Sequence, residues 1–259
     1  MRTRFFLTTA FVVAAAVMAG RAQAQDSAEV PESQSSAPEA PPLPPLPGGL
    51  APGRIAKTVY VAGEAGWDAT RKSSVFDTQI EAPIFAGLSL RAGATSSPAD
   101  ARVSPSMFLK LDVLSQRSHG VAASVFGGYR GDGFNLVPAL EFGITLGGRR
   151  ERLGFATSFA YGQGLQRSER YGDVRATTLF QLNRRVFLGA DARGRFDLEW
   201  DSDEPAGEAM VDGLGGGLAV VKLGPVFVTG QAGVSVLSLR AGGPVQIGPA
   251  GRLGFGAAF

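Results

Sequence analysis

The sequence predicts an all-β chain whose main part closes into a transmembrane, antiparallel, up-and-down β-barrel. Three observations carry this expectation. Apolar residues alternate with polar or small ones in stretch after stretch, at the period of two that sends successive side chains to opposite faces of a strand. No apolar stripe at i, i+3, i+4 persists over three turns from Ile55 onward, so no long amphipathic helix is expected. The connections between the alternating stretches run long and short by turns, as in a barrel with long loops at one rim and tight turns at the other.

Two segments precede the barrel. Arg2 and Arg4 stand before an apolar run from Phe5 to Met18, and Ala22-Gln23-Ala24 is a small-residue cleavage site. Residues 1–24 therefore read as a secretory signal peptide, with the mature chain starting at Gln25. The apolar run of 14 residues is shorter than the roughly 20 a spanning helix needs. Residues 25–54 hold Pro31, Pro38, Pro41, Pro42, Pro44, Pro45, Pro47 and Pro52, half of the 16 prolines, among Ser, Ala and Glu. Such a composition cannot bury enough apolar surface to offset its ordering entropy, and "PPLPPLP" favours extended polyproline II. This stretch reads as a disordered periplasmic linker, or as a tether that reaches a periplasmic or cell-wall partner.

Composition excludes several functions. There is no Cys, and His119 is the only histidine, so neither a disulfide nor a zinc or copper site is expected. The signal carries three arginines and no acid, which leaves 22 basic against 23 acidic residues in the mature chain. Without a basic excess, no nucleic-acid partner is expected. No cofactor motif is present. "GLGGG" at 213–217 is Gly-rich, but no helix follows it to cradle a phosphate. Its glycines read as a flat stretch of lumen wall or as seats for a neighbouring ring.

Residues 55–259 are expected to form the barrel. Twelve strands are read at 57–66, 75–82, 86–95, 106–115, 121–130, 137–147, 153–163, 173–182, 186–197, 210–221, 226–237 and 250–259. The connections are then 8, 3, 10, 5, 6, 5, 9, 3, 12, 4 and 12 residues, every odd one long and every even one short. Strand two is short and polar, so a ten-strand count with 55–85 outside the barrel is the alternative. Pro138 sits awkwardly in strand six, because a closed barrel has no free edge to excuse a missing N–H. Either the strand starts after it or a bulge sits there.

Within each strand one face is apolar and nearly free of charge: Met107, Leu109, Leu111 and Val113, or Leu140, Phe142, Ile144 and Leu146. Lipid contact demands this, since Lys or Arg at mid-bilayer would cost about 2–4 kcal/mol. The other face mixes Gly, Ala, Ser and Thr with sparse charges of both signs. Glu64, Asp77, Glu81, Arg91, Lys110, Asp112, Arg130, Glu141, Asp173, Arg175, Asp191, Arg193, Arg195, Asp197 and Arg252 are expected to face the lumen. A symmetric turn at 183–185 sets Asp173 opposite Arg195 and Arg175 diagonal to Asp191. The charges read either as a pore lining that selects by charge or as ion pairs that fill a narrow barrel. Tyr60, Trp67, Phe76, Tyr129, Tyr161, Tyr171 and Trp200 fall near strand ends. There they read as interfacial belts or as aromatics placed by β-propensity alone.

The last strand, "GRLGFGAAF", puts Leu253, Phe255, Ala257 and Phe259 at every second position. It resembles the C-terminal strand of bacterial outer-membrane β-barrel proteins, which end on an aromatic residue after alternating apolar ones. The resemblance implies location in the bacterial outer membrane, contact with outer-membrane lipid, and recognition of this strand by the barrel-assembly machinery. It leaves three functional classes: a passive pore for small solutes, a non-conducting structural or anchoring barrel, and a barrel lipid hydrolase. The last needs a Ser and a His at the lipid interface, and "SQRSHG" places His119 in a short turn at the opposite rim. No enzyme activity is expected. The acidic loop "DLEWDSDEPAGE" lacks the spacing of a calcium-binding loop and reads as a solvated one.

Overall fold

The computed structural model describes residues 59–259 except 71, 86, 98–101, 115, 132–137, 166–169, 199–210 and 239–243. The expectations for 1–24 and 25–54 fall outside the described residues, as does Trp200. The strands are β1 (Tyr60–Asp68), β2 (Ser73–Phe85), β3 (Leu88–Ser97), β4 (Arg102–Leu114), β5 (Ala122–Arg130) and β6 (Ala139–Arg150). They continue as β7 (Leu153–Gly164), β8 (Arg170–Gln181), β9 (Val186–Asp197), β10 (Val211–Leu223), β11 (Val226–Ser238) and β12 (Gln246–Ala258). Each pairs antiparallel with its sequence neighbours, and β1 pairs with β12 from Tyr60↔Ala258 to Asp68↔Ala250. The amides of Val59 and Phe259 each donate to the other's carbonyl at 2.9 Å and finish the seam. Twelve strands close the ring, and no edge is left to pair elsewhere.

The ten-strand alternative fails because β2 is a full 13-residue strand paired to both neighbours. β2 and β4 extend beyond their apolar alternation, through Ser73 and Ser74 and through Arg102 to Ser106. A backbone ladder continues past the last residue that must touch lipid. The first and third connections therefore shrink to four residues each. The fourth grows to seven and contains the helical turn Gln116–His119, so the long–short rhythm is not strict. At the rim that holds the ends of β1 and β12, called here the terminal rim, three turns are two residues long. Each contains one left-handed residue, Gly87, Glu151 or Gly224, as tight hairpins require.

Prolines sit where no amide is missed. β6 starts at Ala139, just after Pro138, whose carbonyl accepts from Leu165 N at 2.8 Å. Pro105 lies inside β4, but on the side where its carbonyl accepts from Gly131, one residue past the end of β5. Pro249 in β12 likewise faces Ala69, one past the end of β1. Pro83 adjoins the bulge between Pro83 and Phe85.

The two faces of the wall differ sharply. Outward positions include Val61, Trp67, Phe76, Ile80, Met107, Ile144, Phe159, Leu253 and Phe255, all exposed. Along the twelve strands the outward positions carry charge only at Arg150 and Arg170, each at a strand end. Strands of 9 to 13 residues with that surface suit a bilayer, which a tilted strand crosses in about 9–11 residues. The fold is thus a transmembrane, antiparallel β-barrel.

Candidate functional site: the charged lumen

The register brings charged residues from distant strands into layers inside the ring. Nearest the terminal rim, Lys110 Nζ lies 2.6 Å from Glu81 Oε1, with the two side chains 1% and 3% exposed. The Ser89 hydroxyl donates to the same Glu81 oxygen at 3.0 Å, and the Ser124 hydroxyl donates to Asp112 Oδ1 at 2.7 Å. The rest of this end is apolar. Tyr60, Ala62, Ala156, Leu179, Phe187, Leu218, Val220 and Phe227 form one buried cluster. Tyr60 and Phe227 stack with ring centroids 5.5 Å apart. The ring of Phe227 reaches Tyr60 across Gly256, where a Cβ would lie 2.1 Å from it, so only glycine fits there. These side chains are buried and narrow the lumen at this end.

At mid-height Arg175 donates from Nε and Nη2 to the two oxygens of Asp191 at 2.9 and 3.0 Å. The Thr177 hydroxyl donates to the same carboxylate, and Gln231 Nε2 reaches it at 3.4 Å. Across the seam Arg252 Nη1 donates to Glu64 Oε1 at 2.9 Å. Arg91 donates to Gln79 Oε1.

Nearer the far rim, the register pairs Asp173 with Arg195. Asp173 Oδ2 also meets Arg193 at 3.1 Å and Arg130 at 3.6 Å, so three guanidiniums converge on one oxygen. Arg130 Nε lies 3.1 Å from Glu141 Oε2, and the Tyr171 hydroxyl donates to Glu141 Oε1 at 3.3 Å. Tyr171 spans β7 to do so by lying over Gly162, where a Cβ would meet its ring at 2.1 Å. The Arg195 guanidinium stacks on Tyr171 at 4.3 Å.

Above the floor is a cavity of about 90 Å³. Its walls include Glu64, Asp68, Asp77, Arg91, Arg130, Arg193, Asp212 and Arg252. Asp68 and Asp212 were not among the expected lumen residues, because each stands at a strand end beside a polar loop. Their parity with Glu64 and Leu214 is the signal that finds them. The side chain of Asp197 lies outside the described residues.

Several expectations need correction. Tyr60 and Tyr171 belong to no interfacial belt; both point inward, Tyr60 into the floor and Tyr171 onto Glu141. Trp67 and Phe76 are exposed on the outside. No ring covers 213–217; Gly216 faces inward, where a Cβ would meet the Ala232 carbonyl at 2.3 Å, and the strands approach closely there. Leu253, Phe255 and Phe259 are exposed and Ala257 is half-buried. His119 is exposed on the helical turn at the terminal rim. Among the described residues no group of three His, Asp or Glu side chains is placed to hold a metal ion.

No family model matches the chain, and no curated protein matches it. Solved structures do. The NanC porin is similar with a TM-score of 0.55 at 8% identity, over 76% of this chain and 98% of that one. An outer membrane channel from Pseudomonas putida F1 gives 0.46 at 12% identity, over 82% and 97%. The outer membrane channel DcaP of Acinetobacter baumannii gives 0.42 at 8% identity, over 73% and 63%. At such identities the likeness is one of architecture: the chain has the fold of the NanC porin, a closed antiparallel β-barrel.

Proposed function

We propose that this chain is an integral protein of the bacterial outer membrane and a narrow channel for small charged solutes. The observation that carries the reading is the contrast between its two faces. The outside is free of charge between the strand ends, while the inside holds buried carboxylates and guanidiniums around a cavity. A water-soluble barrel would have no reason to invert in this way. The lumen candidates, Glu64 to Arg252, serve as a lining of both signs that admits ions and small polar molecules. The strand at Leu253, Phe255, Ala257 and Phe259 serves as the assembly signal, and 25–54 as a periplasmic linker. The chain acts as a conduit rather than as an enzyme.

The narrowed end limits what passes. With Tyr60, Leu179, Val220 and Phe227 all at most 4% exposed, the path narrows at the apolar floor. That floor also supports a second reading, a non-conducting structural barrel. Osmotic swelling of liposomes holding the purified chain separates the two. The channel reading expects swelling with small electrolytes and amino-acid-sized solutes, and none with disaccharides. No swelling with any solute, insertion being confirmed, supports the structural barrel.

A further inference from the structure

The cavity walls are not electrically uniform, and most of their charges are already occupied. Asp68 Oδ1 accepts from Thr70 and Ser235. Arg252 is held by Glu64 at 2.9 Å, and Arg91 by Gln79. Asp77 differs. It lies within electrostatic reach of Arg91, Arg130, Arg193 and Glu64, yet among the described residues it has no hydrogen bond and no ion pair. Beside it, Oε2 of Glu64 is buried without a hydrogen-bond partner among the described residues.

The facing wall carries Arg193 beside Asp212. Arg193 stands on β9, five strands round the ring from Asp77 on β2, and so nearly opposite. Its carboxylate partner Asp173 does not line the cavity, and neither does Glu141, the partner of Arg130. Arg193 and Arg130 line the cavity while paired to Asp173 and Glu141. Arg193 is 27% exposed, against 10% for Arg175, which is sealed against Asp191. Nη1 of Arg130 is buried without a hydrogen bond, its nearest anionic contact being Asp173 at 3.6 Å.

We propose that the cavity binds a small zwitterion of α-amino-acid size, its ammonium on Asp77 and its carboxylate on Arg193 and Arg130. The size follows from the volume. About 90 Å³, at about 30 Å³ for each water, has the room of roughly three waters, which limits the ligand to the smallest zwitterions. The orientation follows from Asp77, which has no ion pair among the described residues, standing nearly opposite the partly exposed Arg193. A simple anion would satisfy the arginines and leave Asp77 bare. A simple cation would do the converse. This deepens the channel reading by naming the solute class the lumen retains. Equilibrium binding requires no conduction, so the two ideas can fail separately.

The test is calorimetric titration of the full chain in detergent with L-alanine, acetate and methylammonium. Alanine is expected to bind at least about tenfold more tightly than either half-ligand, the worth of one added charged hydrogen bond. Asp77→Asn should bring alanine down to the level of acetate and leave acetate unchanged. Arg193→Gln should weaken both. Acetate binding as tightly as alanine in the unmodified chain would overturn the proposal in favour of a simple anion site. Absence of saturable binding by all three would also overturn it, leaving a cavity of water and salt. The three-probe comparison on the unmodified chain decides the matter even if a variant fails to fold.

Discussion

Asp191 illustrates how a charge survives inside this barrel. It is 2% exposed, accepts both arms of the Arg175 guanidinium and takes a third bond from Thr177. Removing such a carboxylate strands a buried guanidinium, which costs about 3–5 kcal/mol. Asp191→Ala is therefore expected to lower stability by that amount, read as the urea midpoint of the chain folded in detergent. Glu64→Gln should cost clearly less, because Arg252 is 20% exposed and can turn to water. Equal losses would mean that the two pairs are solvated alike. Gly256 makes a separate point. Any side chain there enters the ring of Phe227, so Gly256→Leu should break the Tyr60 stack and cost about 1–3 kcal/mol in the same assay. Nothing in "GFGAA" announces this, since the ring comes from a different strand.

At the scale of the strand, alternation made most of the barrel legible. "SMFLKLDVL" states its own faces, because Lys110 and Asp112 cannot meet lipid while Met107 and Leu109 can. The register at β8 and β9 followed from the turn, which Asn183 closes by accepting from the amides of Arg185 and Val186. Other strands were less explicit. In β9, Phe187 and Leu188 are both apolar, and only parity with Asp191 and Arg193 places Phe187 inside. In β10, Leu214, Leu218 and Val220 point inward, while Gly213, Gly215 and Gly217 fill the outer positions. An apolar residue obeys the same alternation on either face, which is why the floor was hidden. The extra length of β2 and β4 was hidden too, because paired backbone beyond the lipid needs no apolar signal. The assignment of faces can be tested directly. Leu253 is 71% exposed on the outside, so Leu253→Arg should cost about 2–4 kcal/mol in a bilayer. A soluble barrel with the same strand would show little change, and such a null result would refute the lipid-facing assignment.

The barrel of the described residues is apolar outside, charged within and narrowed at one end. In the proposed channel the charges of the middle and upper layers line the path, and the floor of Tyr60, Phe187, Leu179, Val220 and Phe227 narrows it. Removing part of that floor should widen the path without disturbing the charged layers above it. Single-channel recording in a planar bilayer tests this most directly, on the unmodified chain and on Phe227→Ala, with insertion checked independently. The account predicts small discrete steps for the unmodified chain and larger ones for Phe227→Ala. It also predicts an ion preference that shifts when Arg193 is replaced by Gln. Confirmed insertion of both chains without any steps would contradict it and leave a structural barrel.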